Sequence, residues 1–234
     1  MAGQGARFGH RFKPFLTVSG ATFIEAAVQP FRRFASKISR FVFVYLEAQE
    51  RDLSVGSRLS NLFADLPIES VHLDAPTRGP AETIGRAVKQ LDARGPAFIC
   101  DCDHALDVEP LFAAVDRGEQ FDALVPVWPL DGEDVASWSV AMVESDRVLA
   151  IAEKRIPVHA REMPVGVPMG VIGCYGFTDV ANVASRAEAL GATNFSEVIA
   201  AMLADGGVVR AARIEQARFF GDPARLDKAT RGVR

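Results

Sequence analysis

MAGQGARFGHRFKP, residues 1–14, is the stretch from which the rest of the chain is read. Gly3 and Gly5 leave the backbone bare, so that its N–H groups can approach a phosphate chain, while Arg7 and Lys13 place a cation toward either end of the turn. A Gly-x-Gly pair by itself is more often a plain turn. The continuation adds weight, because the loop leads through Phe15, Leu16 and Val18 to Gly20 and then into a helical pattern over residues 22–34.

Outward from that loop, apolar runs alternate with helical stretches. Residues 41–46 (FVFVYL) read as a strand buried on both faces, residues 51–63 as a helix, and residues 67–73 (PIESVHL) as a further short strand. Strands alternating with helices predict an α/β fold, a Rossmann-like single domain over residues 1–234 with a mainly parallel mixed central sheet. Later segments continue the pattern, with strands expected over 121–128, 137–143, 148–151, 173–177 and 208–213, and helices over 182–190, 196–203 and 224–230.

Composition bounds the function. The chain has 234 residues, 49% of them hydrophobic, enough for a substantial core. A net charge of −4 without a clustered basic excess argues against a nucleic-acid surface, and no apolar run is long enough to span a bilayer. A cytoplasmic protein is the expectation. Cys100, Cys102 and Cys174 form neither a disulfide framework nor a zinc pattern and read as small buried apolar residues.

Four further places carry polar chemistry. In residues 77–87 (TRGPAETIGRA), Gly79 and Pro80 break the chain before a helix, and Glu82 suits its first turn. In residues 96–104 (PAFICDCDH), Asp101 and Asp103 follow a short apolar run, which puts carboxylates at the C-terminal end of a strand, where open α/β sheets bind ligands. Such a carboxylate can share Mg²⁺ with a triphosphate, since this hard cation prefers oxygen ligands. Glu153-Lys154 ends a strand pair and by itself reads as a surface charge pair. Residues 163–177 contain four glycines and read as a loop running into a strand, where glycines suit bulges.

AGQGARF followed by KPFLTVSGATFIEAAVQPF resembles the opening signature of the sugar-nucleotidyltransferase family: a Gly-rich loop, an Arg, a Lys-Pro and a Gly before a helix. The resemblance implies that Gly3, Gly5, Arg7 and Lys13 wrap a nucleoside triphosphate, that Gly79, Ala81 and Glu82 receive its base, and that Asp103, followed by His104, holds Mg²⁺. It implies that Lys154 meets the phosphate of a phosphorylated sugar or polyol acceptor, with pyrophosphate released and the product used for surface polysaccharide. It also implies that the segment 163–177 closes over that acceptor, with Gly170 the candidate for backbone contact. CTP or UTP is the favoured donor.

Two departures stand out. The family carries a hydrophobic strand ahead of the loop, whereas Met1 already sits inside it, so about 5–8 residues of strand are expected upstream. The family also keeps a second metal-binding Asp near its C-terminal Gly-Thr-Pro; here Phe219 and Phe220 occupy that region, and Asp222 reads equally as a metal ligand or as the N-cap before Pro223. Two other classes stay open: a glycosyltransferase using Asp101 and Asp103 as an Asp-x-Asp pair with Mn²⁺, and a non-catalytic nucleotide-binding relative.

Overall fold

The computed structural model describes residues 1–2, 6–157 and 166–232. Its N-terminal part holds the two-residue strands β1 (Thr17–Val18) and β2 (Ala21–Thr22), helix α1 (Phe23–Val28), β3 (Phe41–Leu46), α2 (Glu47–Leu53), α3 (Val55–Leu62) and β4 (Ile68–Leu73). Then follow α4 (Pro80–Leu91), β5 (Ala97–Cys100), β6 (His104–Leu106), α5 (Glu109–Asp116), β7 (Ala123–Pro129), β8 (Ser139–Glu144) and β9 (Arg147–Glu153). The C-terminal part holds β10 (Val167–Val171), β11 (Cys174–Phe177), α6 (Val180–Leu190), α7 (Phe195–Ala204), β12 (Val209–Arg213), β13 (Ala217–Phe219) and α8 (Pro223–Thr230).

The chain divides into two units, the first made of Met1–Arg78, Asp101–Asp107 and Gln216–Arg234, the second of Gly79–Cys100 and Val108–Glu215. In the first, β3 and β4 pair in parallel, from Phe41 beside Ile68 to Leu46 beside Leu73. Phe43 and Tyr45 pack with Val55, Leu59 and Phe63. The wholly buried Tyr45 places its hydroxyl 2.9 Å from Nε2 of His72, so its polar end is satisfied. A second cluster joins Phe8, Val18, Phe23, Ala105 and Phe220. Helix α1 starts on a capping box between Thr22 and Glu25. The helix expected over 22–34 stops at Val28 and continues as a 3-10 helix, Gln29–Lys37. Pro30 explains the change, since it has no N–H to continue the α-helical ladder.

In the second unit a seven-stranded mixed sheet has the order β10-β8-β9-β12-β7-β11-β5, with β10 also pairing β7. The α/β class with a mixed central sheet is as expected. The expected predominance of parallel pairing gives way: β12–β7 is the parallel pairing in this sheet, and β3–β4 is another in the first unit. Short connections are the reason, because β8 and β9 join through a tight turn at Ser145 and Asp146, too short for a crossover. Strand β11 lies antiparallel between β5 and β7, so those two still run the same way. Strand β10 forms where the glycine-rich run predicted loop, because its burial between β7 and β8 outweighs weak strand propensity. Val125, Val127, Ala141 and Phe177 pack with Val180, Phe195, Val198 and Ile199 from α6 and α7.

Candidate functional site

The first unit contains an ion pair at the centre of its polar chemistry. Lys13 opens a 3-10 turn, Lys13–Phe15, whose Pro14 is buried. Phe12 and Phe15 pack edge to face at 5.0 Å, and the Arg58 guanidinium lies 3.6 Å from the Phe15 ring centre. These contacts hold the turn, and from it Lys13 Nζ donates to Oδ2 of Asp103 at 2.6 Å. Both side chains are 24% exposed.

Asp103 is held from several sides. Phe220 N–H donates to its main-chain carbonyl at 3.0 Å, beside the antiparallel pairing of β6 and β13. Nδ1 of the buried His104 lies 3.5 Å from its Oδ1. A Cβ on Gly221 would stand 2.6 Å from its Oδ2, so this glycine clears space for the carboxylate. Burial opposes ionisation of Asp103, but His104 and Lys13 outweigh it and hold the carboxyl well below the usual range. Burial likewise works against the Lys13 charge, and Asp103 outweighs it, holding that pKa above its ordinary value.

The neighbouring residues differ. Asp101 keeps an exposed edge, yet desolvation of its carboxyl, then the charge of Asp103, pushes its pKa up to about 6. Burial pushes the Cys102 thiol up to about 11, far from a reactive thiolate. Asp222 accepts from Arg225 N–H at 2.9 Å and caps α8, and Phe219 extends β13. Among the described residues no three His, Cys, Asp or Glu side chains gather as a metal cage. The donor set nevertheless fits Mg²⁺ of the kind shared with a substrate, which needs one or two carboxylates and takes its other oxygens from phosphates and water. Asp103, partly open and held well below the usual carboxylate range, is the candidate for that carboxylate. Arg7 is exposed on the loop; Gly3 and Gly5 lie outside the described residues.

In the second unit, Gly79 precedes α4 and approaches the chain at Thr193 so closely that a Cβ would stand 2.3 Å from its carbonyl oxygen. Ala81 is buried, and its N–H donates to that same oxygen at 3.0 Å, so packing accounts for both residues. Glu82 pairs with Arg86 one turn along at 2.8 Å. Gly170 is buried in β10, where a Cβ would stand 2.9 Å from the Trp138 indole. Glu153 is not the partner of Lys154: it accepts from Ser139 of β8 and from the buried Ser196 of α7. That anchors the end of β9, from which Lys154 projects, exposed, at φ 53°.

A family model, the MobA-like NTP transferase domain, matches residues 1–165. The chain belongs to that family. It is therefore a nucleotidyltransferase, which favours this chemistry over glycosyl transfer and over a non-catalytic relative. Among solved structures, this transferase is similar to a nucleoside-diphosphate-sugar pyrophosphorylase from Vibrio cholerae RC9, with TM-score 0.78 and 20% identity, over 99% of this chain and 98% of that one. The inositol-1-phosphate CTP transferase from T. maritima has TM-score 0.73 and 18% identity, over 100% and 95%. A UDP-glucose pyrophosphorylase from Acinetobacter baumannii has TM-score 0.71 and 18% identity, over 98% and 89%. No curated protein sequence matches the transferase. Among its described residues no helix is long and apolar enough to cross a membrane.

Four positions escaped the sequence reading. Gly221 was visible in Phe-Phe-Gly-Asp-Pro, but only contact with Asp103 reveals its use. The Ser139 and Ser196 anchors of Glu153 come from distant segments and leave no local signal. Arg11 stands inside the opening stretch, but its return over the turn onto the Phe8 carbonyl shows only in the structure.

Proposed function

We propose that this transferase moves a nucleotidyl group from a nucleoside triphosphate, CTP or UTP, to the phosphate of a phosphorylated sugar or polyol. The observation that carries the reading is the ion pair between Lys13, near the end of the 1–14 stretch, and Asp103, a cation and an ionised carboxylate held ready for a triphosphate and its metal. The similar structures include a UDP-glucose pyrophosphorylase and an inositol-1-phosphate CTP transferase, which supports the same acceptor class. A cytoplasmic step supplying activated building blocks for surface polysaccharide fits this chemistry.

In the proposed reaction an acceptor phosphate oxygen attacks the α-phosphorus in line. The bond from that phosphorus to the bridging oxygen breaks, and pyrophosphate leaves with the electron pair. No protein nucleophile is required, in keeping with the un-ionised Cys102 thiol. The protein supplies positioning and positive charge. Lys13 and Arg7 neutralise the departing pyrophosphate, Gly3 and Gly5 bring backbone N–H groups to the phosphates, and Lys154 orients the acceptor phosphate. Glu82 remains the base-side candidate of its loop, since packing accounts for Gly79 and Ala81, and Gly170, packed against Trp138, would act on the acceptor side only by shaping β10. Asp103 would hold Mg²⁺, with Asp222 as the second candidate; the ion would withdraw charge from the phosphate oxygens.

Thermal unfolding with each nucleoside triphosphate and nucleotide sugar, with Mg²⁺ or Mn²⁺, tests the reading. A ligand at about 100 times its dissociation constant adds about 2.7 kcal/mol, a rise of several degrees in a domain of this size. Stabilisation by one triphosphate with Mg²⁺ is expected. A rise with nucleotide sugars alone would turn the reading toward glycosyl transfer.

A further inference from the structure

The first unit contains a hollow of about 690 Å³ lined by Arg7, Phe8, Gly9, Arg11, Pro223, Leu226, Asp227 and Thr230. Neither Lys13 nor Asp103 lines it. One wall is the turn of residues 8–11 and the other is one face of α8, where residues 223, 226, 227 and 230 recur at helical spacing. The turn is tightly built. Gly9 and His10 both take left-handed backbone conformations, at φ 65° and 60°, which reverse the chain over two residues. The reversal brings Arg11 back over the start of the turn, where its Nε donates to the Phe8 carbonyl at 3.2 Å. That bond uses one edge of the guanidinium and leaves its terminal nitrogens available.

The charge balance of the hollow is positive. Its one lining carboxylate, Asp227, is taken by Arg231 through Nε to Oδ1 at 3.0 Å and Nη2 to Oδ2 at 2.9 Å. Arg7 and Arg11 have no carboxylate partner among the described residues. Two guanidinium groups beside a neutralised carboxylate, in a concave site, match the chemistry of a phosphate or diphosphate group.

We infer that this hollow is a phosphate-binding site with Arg11 as a phosphate ligand alongside Arg7. Its occupant is either the outer phosphates of the bound triphosphate, leaving as pyrophosphate, or a separate phosphorylated ligand held beside the loop. The inference rests on the reading of the loop as a phosphate binder, and the test separates the two. The Arg11 position also gives the turn a purpose. A phosphate drawn onto both arginines would tie Arg7 to Arg11 across the turn, steadying the stretch that leads to Lys13.

Calorimetric titration of inorganic pyrophosphate, and separately of inorganic phosphate, into the full chain provides the test, with the triphosphate that stabilises it titrated in parallel. Arg11→Gln should weaken pyrophosphate binding about tenfold, the usual cost of a lost charge-assisted contact. Thr230→Glu, which leaves both arginines in place and sets a carboxylate across the hollow, should weaken it by a comparable factor. If Arg11→Gln also weakens the triphosphate, and pyrophosphate competes with it, the occupant is the substrate's own phosphate tail. If pyrophosphate still binds with triphosphate present, and Arg11→Gln affects it alone, the occupant is a second ligand. Pyrophosphate binding that both variants leave unchanged, or that is absent from the wild-type chain, overturns the inference. Triphosphate binding retained in that case leaves the transferase reading standing.

Discussion

Lys13 and Lys154 have the same side chain and, in the reaction proposed, the same task of meeting a phosphate, yet the protein prepares them in opposite ways. Lys13 is three-quarters buried, sits on a turn stiffened by aromatic packing and is bonded to Asp103. Lys154 is exposed and has no ion pair among the described residues, and only its backbone is prepared, by the pinned Glu153 and a left-handed φ. The first arrangement stores a charge in a set place; the second displays one on a flexible stem. A group that stabilises charge developing in the transition state benefits most from being preorganised, whereas one that gathers a diffusing acceptor can work from solvent.

The sharpest way to break this comparison is to remove the prepared cation. Lys13→Met should reduce turnover by roughly 10²–10³-fold. It should also cost about 1–2 kcal/mol in chemical denaturation, because Asp103 would lose its partner in a mostly buried position. Turnover within a factor of a few of wild type would show that Lys13 is a structural pair member only. Next in size, Gly221→Ala would push a Cβ into the Asp103 carboxylate while leaving both charged groups in the sequence. A displacement of about 1 Å is worth about 10²-fold in rate, so activity should fall by roughly 10–100-fold with little loss of far-ultraviolet circular dichroism. Full activity would mean that the carboxylate has room to relocate.

The smallest effects belong to Lys154. Lys154→Ala should raise KM for the phosphorylated acceptor about tenfold, leave the KM of the triphosphate unchanged and alter stability by under about 0.5 kcal/mol. Lys154→Gly should show the same kinetic defect with equal or better stability than Ala, since glycine takes φ near +53° without the steric cost of about 1–2 kcal/mol. An unchanged acceptor KM in both would remove Lys154 from the reaction.

Much of this was legible because the signals are local. The strands at 41–46 and 97–100 announced themselves as apolar runs, and Pro80 and Pro223 marked helix starts that the structure retains. Asp103 stood out as a carboxylate just beyond a buried strand, and Lys13 as a lysine closing a Gly-rich stretch. What was illegible depended on segments far apart in the chain. Strands β6 and β13 are three residues each and exist because they pair with one another across more than a hundred positions. The departure from mainly parallel pairing required knowing that β11 enters between β5 and β7.

The sequence by itself therefore determined the α/β class, the family and the types of charged group available, because these follow from periodicity, turn chemistry and a short ordered motif. Tertiary structure alone decided which charges are paired, which exposed and which displaced by packing. It turned Glu153 from a neighbour of Lys154 into an anchor, gave Gly221 a duty toward Asp103 and folded Arg11 over a hollow with α8. The physical reason is that burial and electrostatic partnership are properties of neighbours in space, and those neighbours lie up to 200 or more positions apart in this chain.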